Sequence, residues 1–337
     1  MCTGTPYSHS YEFDSVQSAT VALMVRTASG KIKGLPQPGD FEMQAARYLT
    51  LAAVAVATVA FAANLAEADE RVCAPGTLGI SRTIEVDTTG GPWIGAPKGD
   101  PNFLRPKEVV LTFDDGPSPA NTRKVLAALA KECTTATFFV VGEMIAVHPE
   151  VVKEIAEQGH TIGTHTWTHP NLARRDLDDV KHEVEATFNV AQKASPTPSA
   201  PFFRYPYLSS SDVTDDYMKS RNIAQFAVDI DSQDWRVRSS KPVLARVMAG
   251  LKARGRGIIL MHDIHKWTAD AVPQLLAQLK AGGYQVVQLK PKTSVDLIAD
   301  VAPPEKPAHP QNVRKRSRAA SGKIQRKMAL RTRKPSA

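Results

Sequence analysis

Between residues 109 and 289, short strand-like runs alternate with longer segments that have a helical pattern. The helical segments carry apolar residues at spacings of three and four, and they cover residues 121–131, 149–158, 177–193 and 269–281. The strand-like runs cover residues 109–111, 137–141, 223–228, 257–260 and 284–288. This alternation predicts parallel β/α units. About 180 residues are enough for one domain with a substantial core.

Five apolar runs end in polar residues that are common in active sites. The polar stretches are Asp114-Asp115, His165 to His169, Arg204-Tyr205, Asp231 to Trp235, and His262-Asp263. Solvated loops would not carry reactive residues so consistently. Because ligands bind at the carboxyl ends of strands in α/β folds, the pattern predicts one shared site.

The first stretch, Thr112-Phe113-Asp114-Asp115-Gly116-Pro117, places two carboxylates at a strand end. Side chains alternate in direction along a regular strand, so the turn after it must bring both carboxylates to one point. The pair alone is weak evidence for function, because most such pairs are solvated turn residues or helix caps.

The second stretch, His165-Thr166-Trp167-Thr168-His169, has two histidines four residues apart. Two such imidazoles can bind one metal ion, and with a carboxylate they suit zinc or a similar divalent metal. Such a site leaves positions open for water and substrate, as in catalytic metal centres. Taken alone, the two histidines could equally be a capping or core pair.

In this order, the five stretches resemble the motifs of the polysaccharide deacetylases. These are the NodB-homology enzymes, also called carbohydrate esterase family 4. The motifs are Thr-Phe-Asp-Asp-Gly-Pro, His-Thr-x-x-His, Arg-x-Pro-Tyr, Asp-Ser-x-Asp-Trp and Leu-x-His, between about Lys107 and Leu289. The resemblance implies an α/β fold, a distorted (β/α) barrel with fewer than eight complete repeats. It also implies metal-assisted hydrolysis of an N-acetyl group on a sugar.

The resemblance assigns roles to the reactive residues. Asp115, His165 and His169 would hold the metal, most simply Zn²⁺, although Co²⁺ or Ni²⁺ would also fit. The metal would lower the pKa of its bound water and polarise the carbonyl. Asp114 matches the general base, and His262 matches the general acid that protonates the leaving nitrogen.

Arg204 and Asp234 are expected to support this chemistry. The Arg204 guanidinium would orient Asp114 and keep it ionised, and Asp234 would fix the tautomer of His262. The alternative for both is a structural salt bridge elsewhere in the domain.

Three residues are expected at the substrate. Leu260 would line the pocket for the acetyl methyl group, Trp235 would contact the substrate, and a backbone N–H near Tyr205 would stabilise the oxyanion together with the metal. Two departures from the family pattern leave substrate choice open. Val228 stands where an aromatic wall residue is common, which leaves two alternatives, a wider pocket or one walled by Trp235 or Phe226. Leu208-Ser209-Ser210 stands where a glycine is common.

Residues 43–68 have the layout of a secretory signal peptide. One positive residue, Arg47, precedes an apolar run at residues 49–63, and an Ala-x-Ala cleavage site follows. The run is too short and too rich in alanine for a comfortable membrane span.

This leader lies forty residues into the chain, although signals belong at the N-terminus. We therefore expect residues 1–42 to be a misassigned extension, with Met43 as the true start and Asp69 as the first mature residue. The alternative is a cytosolic extension followed by an uncleaved anchor. Residues 69–106 are rich in glycine and proline and are expected to wrap the catalytic domain at residues 107–295.

The cysteine count fits export. A start at Met43 would exclude Cys2 and leave Cys73 and Cys133, which could form a disulfide in an oxidising compartment. A buried free thiol at Cys133 is equally compatible with the sequence.

The net charge of +8 arises in the C-terminal tail. Residues 302–337 contain eleven Lys and Arg against the single acidic residue Glu305, so the rest of the chain sums to about −2. The tail is expected to be disordered. It could bind anionic envelope polymers or nucleic acid, or be a solvated tail with no specific partner.

The sequence thus predicts an exported, metal-dependent deacetylase of N-acetylglucosamine-containing glycans, such as chitin oligomers or peptidoglycan. One alternative with the same machinery is an O-acetyl esterase of xylan-like polymers. Another is a catalytically idle carbohydrate-binding protein. A cytosolic nucleic-acid-binding protein would rest on the tail alone, and the leader argues against it.

Overall fold

The computed structural model describes residues 73–299 and 301–304. The predicted leader, the extension before it and all but a few residues of the basic tail lie outside the described residues, and those interpretations stay predictions. Within the described part of the chain, no helix is long and apolar enough to cross a membrane.

Ten strands form one sheet in which every strand pair is parallel. The strands are β1 (Arg82–Val86), β2 (Trp93–Ile94), β3 (Glu108–Asp114), β4 (Thr137–Val140), β5 (Thr161–Thr164), β6 (Phe202–Phe203), β7 (Ala224–Phe226), β8 (Ile230–Asp231), β9 (Gly257–His262) and β10 (Gln285–Pro291).

Seven α-helices connect or follow these strands in the described residues. They are α1 (Pro119–Lys131), α2 (Gly142–Val147), α3 (Pro149–Glu157), α4 (Leu177–Ala194), α5 (Asp212–Ser220), α6 (Ser240–Arg254) and α7 (Lys266–Ala281). Short 3₁₀ turns follow β5, β6 and β8 at Leu172–Arg174, Pro206–Leu208 and Asp234–Arg236.

The sheet curves into the predicted distorted (β/α) barrel. One path runs in the order β1-β10-β3-β4-β5-β6-β7-β2, and β9 pairs with both β3 and β8. The strand β3 is central, because it pairs with β10 near its start, with β4 near its end and with β9 along most of its length. All strand ends that carry the polar stretches therefore lie at the same edge of the sheet.

Side chains of β3 alternate between two apolar cores. Val109, Leu111 and Phe113 pack against the surrounding helices in the larger core. Val110 faces the barrel interior, where Phe139, Phe202 and Phe226 belong to the same cluster. The period of two then puts Asp114, the last residue of β3, on the interior face at the end of the strand.

The segment before the catalytic residues adds two strands to the sheet. β1 pairs with β10 along all five of its residues, and β2 pairs with β7. Cys73 forms a disulfide with Cys133, with a Cα–Cα distance of 5.8 Å, so the disulfide alternative holds and the free-thiol alternative for Cys133 is wrong. Cys133 lies between the end of α1 and the start of β4, at the opposite end of the strands from the polar stretches.

Candidate active site

The five polar stretches converge on one cavity at the carboxyl ends of the strands. Its volume is about 390 Å³. The lining residues are Asp114, Asp115, His165, His169, Tyr205, Tyr207, Leu208, Asp231, Trp235, Leu260 and His262. Eight of the ten site residues expected from the sequence line this cavity, and the other two, Arg204 and Asp234, lie directly behind it in contact with lining residues.

The two adjacent aspartates point to the same place because the backbone turns sharply between them. Asp114 ends β3 in extended conformation, whereas Asp115 has a φ of +74°, in the left-handed region. Asp114 is fully buried, and the side chain of Asp115 is 21% exposed. The turn therefore aims both carboxylates into the cavity, as the sequence required.

Asp115, His165 and His169 form a cluster of three potential metal ligands. One donor atom from each lies within 4.8 Å of the others. Asp115 Oδ1 is 3.5 Å from Nε2 of His165 and 3.3 Å from Nε2 of His169. That oxygen is buried and accepts no hydrogen bond among the described residues, which is costly for a carboxylate. A divalent cation would satisfy it, so these residues fit the predicted metal.

The protonation state of His165 also suits a ligand. Burial lowers the pKa of His165 to about 3, so its imidazole is neutral near pH 7. Nδ1 lies 2.6 Å from the carbonyl oxygen of Arg204, which can only accept a hydrogen bond, so Nδ1 carries the proton. The lone pair is consequently on Nε2, the atom that faces Asp115 and His169.

Asp114 lies next to a buried guanidinium. Arg204 is 0% exposed, and its Nη1 donates to Asp114 Oδ1 at 2.8 Å and to the Thr112 hydroxyl at 2.7 Å. The guanidinium also stacks 4.3 Å over the ring of Phe139. Burial raises the pKa of Asp114, while Arg204 and His262 oppose that rise. Arg204 fixes one carboxylate oxygen, and Oδ2 is 3.9 Å from Nε2 of His165.

His262 and Asp234 form a buried pair on the other side of the cavity. Nδ1 of His262 lies 2.6 Å from Asp234 Oδ1, and Asp234 Oδ2 accepts from the His262 backbone N–H and the Thr268 hydroxyl. Burial disfavours the imidazolium, but the hydrogen bond to Asp234 and the nearby carboxylates raise the pKa of His262 to about 9. His262 is therefore charged near neutral pH, and its Nε2 is 4.0 Å from Asp115 Oδ2.

The aromatic residues around the cavity differ in what they can offer a substrate. Trp235 lines the cavity and is 49% exposed, and Leu260 is buried in the wall. Tyr205 also lines the cavity, but it is 1% exposed and its hydroxyl donates to Gln225. Its hydroxyl is therefore committed to the interior. The exposed tyrosine is Tyr207, at 68%.

The sequence analysis gave no role to Tyr207 or Asp231, which both line the cavity. Tyr207 stands two residues after Tyr205 in the same stretch, and a φ of +59° turns it outward, where its ring lies 4.9 Å from that of His169. Tyr207 is the tyrosine of the Arg-x-Pro-Tyr motif, and this position was the sequence signal that could have identified it as a site residue. Val228 and Phe226 are not among the lining residues, and Phe226 packs in the barrel core.

Comparison with known proteins agrees with this site. Residues 103–226 match the family model of polysaccharide deacetylase. A peptidoglycan-N-acetylmuramic acid deacetylase of Bacillus subtilis is 36% identical over 197 residues, covering 58% of this chain and 40% of the relative. The chain therefore spans less than half the length of that relative.

The chain covers a larger share of two further similar proteins. A chitooligosaccharide deacetylase of Rhizobium leguminosarum is 32% identical over 157 residues, which are 47% of this chain and 72% of the relative. Among solved structures, a peptidoglycan deacetylase of Bdellovibrio bacteriovorus is similar with a TM-score of 0.55 and 37% identity. That match covers 63% of this chain and 59% of the other.

Proposed function

Because this chain belongs to the polysaccharide deacetylase family, we propose that it is a metal-dependent hydrolase of N-acetyl groups on N-acetylglucosamine-containing glycans. The observation that carries the proposal is the convergence of three potential metal ligands, the buried carboxylate of Asp114 and the imidazole of His262 on one cavity. The similar proteins are named for peptidoglycan and chitooligosaccharides. Chitin oligomers and peptidoglycan are therefore the substrate classes that we propose.

Asp115, His165 and His169 are the residues that would hold the metal. A divalent ion bound there would supply an activated water and polarise the acetamide carbonyl. Zinc suits two imidazoles and one carboxylate best, and cobalt or nickel fits the same donors. The unsatisfied Asp115 Oδ1 and the neutral His165 support this assignment.

Asp114 is proposed as the general base. Arg204 occupies its Oδ1, so Oδ2 is the oxygen left to accept a proton within the cavity. The rise in the pKa of Asp114 caused by burial makes it a stronger proton acceptor than a solvated aspartate. Its neighbour Asp115 faces the two imidazoles instead, which gives the two carboxylates separate tasks.

His262 is proposed as the general acid. Asp234 accepts the hydrogen bond from Nδ1–H and keeps the imidazolium charged, so that Nε2–H can protonate the departing amine. Leu260 and Trp235 would contact the acetyl group and the sugar. The exposed ring of Tyr207 offers a second apolar face for a sugar.

Two alternatives use the same cavity. An O-acetyl esterase would need the same base and metal, and release of acetate from acetylated xylan but not from N-acetylated glycans would favour it. An idle carbohydrate-binding protein would have no need of the Arg204–Asp114 and His262–Asp234 pairs, which bury ionisable groups at a cost in free energy.

We also propose that the protein works outside the cytoplasm. The Cys73–Cys133 disulfide supports this, since such bonds persist in oxidising compartments. Under this proposal, the leader at residues 43–68 is cleaved, and N-terminal sequencing of protein from the native host begins near Asp69. The basic tail would then meet anionic envelope polymers, with no specific nucleic acid and no membrane contact beyond the leader. Recovery of intact residues 1–42 in protein from the native host would contradict a start at Met43 and cleavage of the leader.

The function is tested by measuring acetate release from N-acetylglucosamine oligomers, peptidoglycan and acetylated xylan. We expect release from one or both N-acetylated substrates, with loss after chelation and recovery when zinc is added. The Asp114→Asn variant serves as the control for contaminating activity, since it keeps the fold and lacks the base.

A further inference from the structure

Glu183 is a buried carboxylate on α4 that contacts the loop between the two histidines. Its exposure is 5%. Oε2 accepts the backbone N–H groups of Trp167 at 2.7 Å and Thr168 at 2.8 Å, and Oε1 accepts the Thr168 hydroxyl at 2.5 Å. Three donors of one short loop therefore meet a single carboxylate. Two of them are successive backbone N–H groups, an arrangement that favours an anion.

The loop adopts a backbone conformation that needs outside support. Thr166 and His169 have φ values of +67° and +58°, in the left-handed region that β-branched residues in particular avoid. On its other side, the first N–H groups of α2, from Gly142 and Glu143, donate to the carbonyls of Thr166 and Trp167. The loop is thus held by α2 through its carbonyls and by Glu183 through its N–H groups.

The two histidines depend on this support to different degrees. His165 follows β5 directly, and its backbone N–H donates to Val140 while its ring bonds to Arg204. His169 lies beyond the loop, and its side chain is 30% exposed. Its backbone N–H donates to the Thr166 hydroxyl, which belongs to the same loop. The position of Nε2 in His169 consequently follows the conformation of the loop.

We infer that Glu183 is a positioning residue that holds His169 in place as a metal ligand. The inference rests on the proposed function, because it requires metal at this cluster. Without the carboxylate, the partly buried backbone N–H groups of Trp167 and Thr168 lose their acceptor, and the loop can relax from its left-handed turn. His169 then moves away from Asp115, while His165 and Asp115 keep their positions.

The test measures zinc affinity by competition with a chromophoric chelator, using Glu183→Ala and Glu183→Gln. Partners that orient metal ligands typically contribute a factor of 10 to 100 in affinity, so we expect a loss of about that size in the alanine variant. The glutamine variant should lose less zinc affinity than the alanine variant, because it keeps one acceptor oxygen for the loop. It should still lose some, because its amide NH₂ group is a donor and cannot replace the second acceptor oxygen. Thermal unfolding shows whether each variant is folded.

Glu185 provides a matched control on the same helix. It is also a buried carboxylate, 1% exposed, but it accepts from Tyr217 and Arg221. Glu185→Gln should lower the unfolding temperature and leave zinc affinity at the wild-type value. Loss of zinc affinity in this control equal to that of Glu183→Gln would overturn the inference.

A double-mutant cycle separates positioning from general loosening. In a His169→Ala background, Glu183→Ala should change zinc affinity by less than about twofold, because the ligand that it positions is gone. A full additional loss in that background, or wild-type affinity in Glu183→Ala alone, would overturn the inference and leave the proposed function standing. Failure of the wild-type protein to bind zinc would overturn both.

Discussion

At the residue scale, two adjacent aspartates occupy different environments. Asp114 is fully buried against Arg204, whereas Asp115 faces the imidazoles of His165 and His169. The left-handed conformation of Asp115 makes this separation possible, because a regular strand would point the two side chains to opposite faces.

The first prediction separates the tasks of these aspartates. Asp114→Asn keeps the size of the side chain but cannot accept a proton, so turnover should fall by about 10² to 10⁴ with bound zinc unchanged. Asp115→Asn should weaken zinc binding, with part of the activity restored by excess zinc. Metal content by elemental analysis distinguishes the two. Loss of zinc from the Asp114 variant and retention in the Asp115 variant would reverse the assignment.

The second prediction concerns the pH dependence set by His262 and Asp234. As the proposed general acid, His262 would act in its protonated form, so activity should fall as the pH rises through its pKa of about 9. Asp234 raises that pKa, and Asp234→Asn should therefore move the alkaline limb of kcat/KM to lower pH. The zinc content of this variant should equal that of the wild-type protein. An unchanged alkaline limb in the variant would show that His262 is not the acid.

Most of the residues that line the cavity could be predicted from the order of the motifs. Their environments could not, because burial depends on which helices cover the strand ends. Glu183 illustrates this limit, since in the sequence it is one of several charges along α4, and only the fold places it under the loop. Tyr205 shows the same limit for a residue that was expected at the substrate. Its hydroxyl is turned to the interior, and the exposed ring belongs to Tyr207.

At the element scale, the predicted helices and strands are present with boundaries that differ by up to three residues. Three helices, α2, α5 and α6, did not follow from periodicity. The helix α2 has only six residues, which is too short for a repeating apolar pattern. In α6 the buried Val243, Leu244, Val247 and Leu251 do form an apolar stripe, but basic and small residues dilute it.

The third prediction concerns the junction of α2 with the histidine loop. A Cβ on Gly142 would lie 2.4 Å from Cε3 of Trp167 and 3.0 Å from its Cα. Gly142→Ala should therefore displace the loop, lower the free energy of unfolding by about 1–3 kcal/mol and weaken zinc binding. Chemical denaturation and zinc competition measure the two effects. Wild-type zinc affinity together with lost stability would show that the loop position does not control the metal site.

At the scale of the whole molecule, one disulfide joins the first described residue to the domain. The bond spans 60 positions of sequence and lies at the opposite end of the strands from the cavity. Closing a loop of this length in the unfolded chain stabilises the folded state by about 2–4 kcal/mol. We therefore expect the bond to stabilise the fold without changing the shape of the cavity.

The fourth prediction follows from that placement. The double variant Cys73→Ser/Cys133→Ser should lose about 2–4 kcal/mol in free energy of unfolding. Its kcat and zinc affinity should equal those of the wild-type protein at a temperature where both are folded. A large loss of kcat in the folded variant would show that the N-terminal segment shapes the cavity.

The measurement that tests the account most directly is acetate release from an N-acetylglucosamine oligomer by one protein sample in three states. These are the protein as purified, after removal of metal by chelation and dialysis, and after addition of one equivalent of zinc. We predict acetate release in the first and third states and none in the second, with His165→Ala inactive in all three. Full-rate release by the metal-free protein would contradict the assignment of Asp115, His165 and His169 as ligands of a catalytic metal.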